Sequence, residues 1–135
     1  MPYTRLRYHF VFSTKNRTPW ITPDIEEVLY PSLHQTITGL DGKIIQLGGV
    51  EDHVHVVCAI RPKYSVSHVI GRLKSESSGV IHHAGLPEFD WSANYGAFTL
   101  DPFNMNRIID YVRYQKQHHH HRNLQPRYER CDLRP

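Results

Sequence analysis

The residues from Arg5 to Thr14 alternate with a period of two: Leu6, Tyr8, Phe10 and Phe12 fall on one side, Arg7, His9, Val11 and Ser13 on the other. Only a strand with two differently furnished faces reads this way. The rest of the fold is constrained by what must cover the aromatic face. Two helical patterns are available. Thr22-Pro23-Asp24 opens the first: Thr22 is a cap, Pro23 suits the first helical position, and Asp24, Glu26 and Glu27 complement the helix dipole. Its inner stripe is Ile25, Leu29, Leu33 and Ile37, Pro31 predicts a kink or an early break, and Gly39 and Gly42 end it. The second runs from Ser65 to His83, with Val66, Val69, Ile70, Leu73, Ser77, Val80 and Ile81 at helical spacing.

Between these helices, Lys43 to Gly48 and His53 to Ile60 read as two strands. Gly48 to Asp52 is the short connection of a hairpin. Tyr95 to Leu100 is a fourth strand, and Pro102 to about His121 a third helix capped by Asp101. The order β-α-β-β-α-β-α predicts an α+β, ferredoxin-like (RRM-like) split βαβ fold. It has a four-stranded antiparallel sheet with helices on one face and an extra C-terminal helix. The 135 residues suit one domain spanning 1–135.

The chain has no run of eighteen uncharged apolar residues and no N-terminal secretory pattern, so a cytoplasmic protein without a membrane span is expected. The two cysteines, Cys58 and Cys131, read as thiols in a reducing compartment. A net charge of +3 leans toward an anionic partner. From Arg107 onward there are seven Lys or Arg against three acids. Eleven histidines, four of them in the run His118 to His121, bring imidazole chemistry into question.

His53-Val54-His55 lies within a strand, where residues i and i+2 share a face. Two neutral imidazoles side by side can chelate one divalent cation, although two half-exposed side chains would give the same triplet. On the third helix, Ile108, Val112, Gln115 and His119 form one stripe, with Tyr111 at its border. Gln115 stands where an apolar residue belongs, and a buried amide needs a partner: a cation, or a backbone group. Tyr111 is one turn from Gln115, so its hydroxyl can reach the same place, whereas Tyr114 lies about 120° away and faces solvent or a phosphate.

Five segments, in order, resemble the single-tyrosine HUH transposases of the smallest bacterial insertion sequences and the REP-associated tyrosine transposases. They are Tyr8-His9-Phe10-Val11-Phe12 with Lys15-Asn16-Arg17, Asp52-His53-Val54-His55-Val56-Val57, Ile70-Gly71-Arg72-Leu73-Lys74-Ser75 with Ser77-Ser78, Trp91 with Tyr95-Gly96-Ala97-Phe98, and Tyr111-Val112-Arg113-Tyr114-Gln115 with His118-His119. The resemblance implies that His53, His55 and Gln115 hold a divalent cation, Mg²⁺ or Mn²⁺, and that Tyr111 is the nucleophile. It implies a homodimer whose nucleophile helix can complete the partner's site in trans. It also implies a substrate of single-stranded DNA with imperfect hairpins, cut and rejoined through a 5′-phosphotyrosine. Imidazole and amide ligands also suit Zn²⁺.

Lys15, Arg17, Arg72, Lys74, Arg113 and Lys116 are the expected DNA-binding cations. Three alternatives keep part of this reading: a domesticated hairpin nuclease of the same chemistry, a non-catalytic single-strand binder with aromatics on an open sheet face, and a metal-binding or pH-sensing domain.

Overall fold

A computed structural model describes residues 2–121 and 124–131, apart from the His121 side chain. The expected order is present: β1 (Arg7–Ser13), α1 (Pro23–Gly39), β2 (Lys43–Val50), β3 (His53–Ala59), α2 (Val66–His83) and β4 (Gly96–Thr99). The strands pair in the order β2-β3-β1-β4, all antiparallel. This is the ferredoxin-like split βαβ sheet.

The aromatic face of β1 is the main core. Phe10 and Phe12, with Val54, Val56 and Cys58 of β3, pack beneath Leu29, Leu33 and Ile37 of α1 and Val69, Ile70 and Leu73 of α2. An open sheet face carrying stacking aromatics is therefore not built here, because Phe10 and Phe12 are fully buried. The other face presents His9, Val11, Ser13, His53, His55 and Val57. The register shows it, since Val11 opposes His55 and His9 opposes Val57. A smaller cluster of Val57, Ile108, Tyr111 and Val112 covers part of this second face.

Several boundaries differ from expectation. Pro31 neither breaks α1 nor shortens it. It lies on the exposed side while Ser32, Leu33, Thr36 and Ile37 are buried, so tertiary packing on the inner stripe outweighs one lost backbone bond. Val80, expected on the inner stripe of α2, is exposed. The β2–β3 turn is shorter than the Gly48–Asp52 connection expected. Gly48, Gly49 and Val50 continue the ladder opposite His55, Val54 and His53, leaving only Glu51 and Asp52 between the strands. The turn carbonyls are held by the amides of Ile21 and Thr14, which bond to Glu51 O and Asp52 O at 2.9 Å each.

The third helix is also different. It starts at Asn106, not Pro102, and is two pieces, α3 (Asn106–Arg113) and α4 (Gln115–His121). Asp101 does not cap it: its carboxylate accepts the Phe103 amide at 3.0 Å in a local turn that competes with helix. Tyr114, at φ −103° and ψ 32°, separates the two pieces. No proline or glycine marks that break. Just beyond it, Lys116 bonds Gly49 O at 3.3 Å and Glu26 at 2.7 Å, so contacts with β2 and α1 hold α4. A last short turn, α5 (Pro126–Glu129), follows.

Candidate active site

The second sheet face becomes a site because α3 lies directly on β2. A Cβ at Gly48 would stand 1.8 Å from the carbonyl oxygen of Val112, so only glycine permits this approach. Gly48 pairs with His55 in the ladder. The close contact therefore brings Tyr111 and Gln115 over the histidines; the Tyr111 and His55 rings lie 6.0 Å apart between centroids. The four residues expected at the site come together within one chain.

Both imidazoles are held from behind. His53 Nδ1 donates to Asp52 Oδ1 at 2.7 Å. His55 Nδ1 meets His9 Nε2 at 2.8 Å, in a fully buried pair. With Nδ1 engaged on each ring, both Nε2 atoms point at one place. That place holds a residue the sequence did not single out, Glu129. Its Oε1 lies 2.9 Å from His53 Nε2 and 3.3 Å from His55 Nε2. Its Oε2 accepts hydrogen bonds from the Tyr111 hydroxyl and from Gln115 Nε2, the latter at 3.3 Å. One carboxylate thus touches all four expected site residues.

Gln115 is almost wholly buried, as its odd place on the apolar stripe implied. Its Oε1 accepts His119 Nε2–H at 3.0 Å. Tyr111 is buried beside the His118 ring, and its oxygen also accepts the Gln125 amide at 3.0 Å. Tyr114 is exposed, as its angular position predicted. A cleft lined by Arg107, Tyr111, Tyr114, His118, Arg127 and Tyr128 opens beside the phenol.

The electrostatics follow from burial and these contacts. Burial raises the Tyr111 phenol to about 12, and the Glu129 carboxylate adds to the rise. Burial opposes charge on Glu129, yet the neighbouring His53 and His55 imidazoles hold it well below the usual carboxylate range. Burial also opposes charge on His53, but its bond to Asp52 and the close Glu129 carboxylate outweigh that and move it upward. Burial lowers His55, and it lowers His9 to about 3 with help from His55.

The donor set fits a divalent cation. His53 Nε2 is buried and has no hydrogen bond of acceptable geometry among the described residues. His53, His55 and Glu129 each offer a ligand atom within 4.8 Å of the others. Two imidazoles and a carboxylate are donors suited to Mn²⁺ or Mg²⁺, whereas the Gln115 carboxamide turns its Nε2 to Glu129 and its oxygen to His119.

The expected cations are distributed unevenly. Arg17 stands 3.9 Å from Asp52, behind His53, and Lys15 3.9 Å from Asp90. Arg113 and Lys116 flank Gln115 on α3 and α4, Arg113 reaching Gln46 at 3.4 Å. Arg72 and Lys74 are not brought to the site. They lie on α2, across the sheet, where Arg72 pairs with Glu76 and Lys74 binds the carbonyls of Ser92 and Asn94 at 2.8 and 2.9 Å. No disulfide joins Cys58 and Cys131. No described helix is long and apolar enough to cross a membrane.

With this geometry in view, comparison with known proteins decides the family. Residues 2–115 match the family model described as "Transposase IS200 like". The chain belongs to the IS200-like transposase family. It is 28% identical over 116 residues to the transposase for insertion sequence element IS200 of Salmonella typhimurium, covering 81% of this chain and 76% of that one. The Salmonella typhi transposase matches to the same extent. The fold is shared with the crystal structure of a candidate transposase from Deinococcus radiodurans, at TM-score 0.69 and 21% identity over 84% of this chain and 93% of that one. It is also shared with a REP-associated tyrosine transposase bound to a REP hairpin, at TM-score 0.68 and 14% identity over 88% and 72%. As an IS200-like transposase, the chain is a DNA-processing enzyme.

Proposed function

We propose that this transposase cleaves and rejoins single-stranded DNA by transesterification, with Tyr111 as nucleophile and a divalent cation held by His53, His55 and Gln115. One observation carries the reading: a single carboxylate, that of Glu129, is in contact with both imidazoles, the phenol and the carboxamide. Four residues scattered over some sixty positions have no such reason to meet in a merely structural core.

When bound, a cation at the two Nε2 atoms draws electron density from the scissile phosphate and stabilises the added charge of the transition state. The chain's own residues do the rest. Asp52 and His9 fix the two rings so that both Nε2 atoms face the phosphate. The Tyr111 oxygen attacks phosphorus in line; the Tyr–O–P bond forms and the P–O3′ bond breaks. The phenol gives up its proton to solvent on attack, and the departing 3′ oxygen takes one from solvent. The 5′-phosphotyrosine conserves the energy of the phosphodiester, so a second 3′-hydroxyl reverses the step and seals the strand without a nucleotide cofactor.

Lys15, Arg17, Arg113 and Lys116 form the cationic approach to this centre, and the exposed ring of Tyr114 offers a stacking surface. The substrate is single-stranded DNA carrying a hairpin; the REP hairpin held by the structural relative supports this. The working form is a homodimer in the cytoplasm. The meeting of Tyr111 and Gln115 with Glu129 beside His53 and His55 in one chain supports a cis arrangement of the Tyr111 helix.

The test incubates labelled hairpin-bearing single strands with protein and Mn²⁺. Wild type forms an SDS-resistant adduct, Tyr111→Phe loses it, and Tyr114→Phe keeps it. The reverse pattern, or action on duplex alone, removes this reading.

A further inference from the structure

The geometry points to Glu129 as a further ligand of the cation, so that the site is completed by a carboxylate from the segment after the nucleophile helix. The inference rests on the cation site of the preceding section and deepens it.

A carboxylate only accepts, so Asp52 fixes the His53 proton on Nδ1. His53 Nε2 faces Glu129 Oε1 at 2.9 Å without a hydrogen bond of acceptable geometry among the described residues. His55 Nε2 approaches the same oxygen at 3.3 Å. The three ligand atoms lie within 4.8 Å of one another, so one cation seated among them would take a lone pair from each.

The distances agree. Two donors bound at about 2.1 Å and at right angles to one octahedral ion stand about 3.0 Å apart. The observed separations of 2.9 and 3.3 Å bracket that edge. The carboxylate is also shaped for the role. Oε2 is engaged by the Tyr111 hydroxyl and Gln115 Nε2, which leaves Oε1 directed at the imidazoles. Ligands are themselves commonly oriented by such outer hydrogen bonds.

Glu129 is placed by more than its own contacts. It closes the short turn Pro126–Glu129, and the next carbonyl, that of Arg130, packs against β4. A Cβ on Gly96 would lie 2.0 Å from Arg130 O. The segment is thus seated at the sheet, with the carboxylate only partly exposed. Adding an anionic oxygen to two imidazoles shifts the donor set toward the harder ions Mn²⁺ and Mg²⁺.

The experiment titrates the metal-stripped full chain with Mn²⁺, reading free ion by EPR, and records the visible d–d absorption of the Co²⁺-loaded protein, which reports the ligand set. Circular dichroism verifies that each variant is folded. Glu129→Ala is expected to weaken Mn²⁺ binding about tenfold or more and to change the Co²⁺ spectrum, and Glu129→Asp to restore part of both. His53→Ala is expected to abolish binding. If His53→Ala abolishes binding while Glu129→Ala leaves affinity and spectrum intact, Glu129 is no ligand and the parent reading stands. A weaker affinity with an unchanged Co²⁺ spectrum means the carboxylate acts only through its charge, which also overturns the inference. If His53→Ala binds Mn²⁺ like wild type, the cation site itself is wrong.

Discussion

The two faces of one sheet follow opposite rules. Under α1 and α2, β1 and β3 contribute Phe10, Phe12, Val54, Val56 and Cys58 to a mainly apolar layer, in which the buried Thr36 and Ser77 hydroxyls bond to carbonyls of their own helices. Under α3, α4 and α5 the same two strands contribute His9, His53 and His55, equally buried but surrounded by Glu129, Gln115 and Tyr111. The first face gains stability from apolar area removed from water. The second bears a desolvation cost that only its hydrogen bonds offset. The difference assigns the first face to holding the fold and the second to chemistry.

The largest effect should come from breaking the first face. Phe10→Ala removes a fully buried ring between α1 and α2. A loss of about 3–5 kcal/mol in unfolding free energy is expected by chemical denaturation. Mn²⁺ affinity of the fraction that remains folded should be unchanged. A change in that affinity matching the loss of stability would mean that the two faces are not separate in function.

Gly48→Ala tests the seam on which the second face depends. The new methyl meets Val112 O, a backbone atom that cannot rotate away. Overpacking of this kind costs about 1–3 kcal/mol. Its sharper consequence is positional, because α3 must lift and carry Tyr111 and Gln115 off the histidines. Adduct formation should fall by more than the stability loss explains, measured at a temperature where the variant is fully folded. A variant that is merely less stable, with undiminished adduct formation, would show that the close approach of α3 serves packing alone.

The two faces were also unequally legible in the sequence. Period-two alternation in β1 and the 3.6-residue stripes of α1 and α2 announce the apolar face, since each of its residues obeys the rule for burial. On the second face, His53-Val54-His55 and the misplaced Gln115 were readable because each breaks a local pattern. Glu129 breaks none. It is one acid in a short polar tail, 74 residues from its partner His55, and only the course of the chain after α4 brings it there. His9 was hidden for a related reason. Alternation places it opposite Phe10 but cannot say that a further layer covers that side. The break at Tyr114 was equally silent, since contacts of Lys116 with β2 and α1, and no local breaker, hold the helix beyond it.

The smallest expected effect isolates the electrostatic cost of the second face. Buried neutral His9 titrates near 3, against about 6.5 when exposed in the unfolded chain. Its folded value is depressed, so the unfolded chain binds the extra proton first. The resulting stabilisation is complete above about pH 6.5 and is lost progressively as the pH falls toward 3. Between pH 7 and pH 5.5 this amounts to about 1 kcal/mol for one such group. His9→Phe keeps a flat ring of similar size next to Phe98, His55 and Tyr128, and removes the titrating nitrogen. The metal-free variant should therefore lose about 1 kcal/mol less than wild type over that interval in paired denaturation curves. His55 loses its Nδ1 partner in the exchange, which changes absolute stability at every pH alike. The slope alone carries the charge term. Parallel curves for the two proteins would mean that His9 takes up a proton in the fold as readily as in the unfolded chain, and its contact with His55 would then need a different hydrogen-bond assignment.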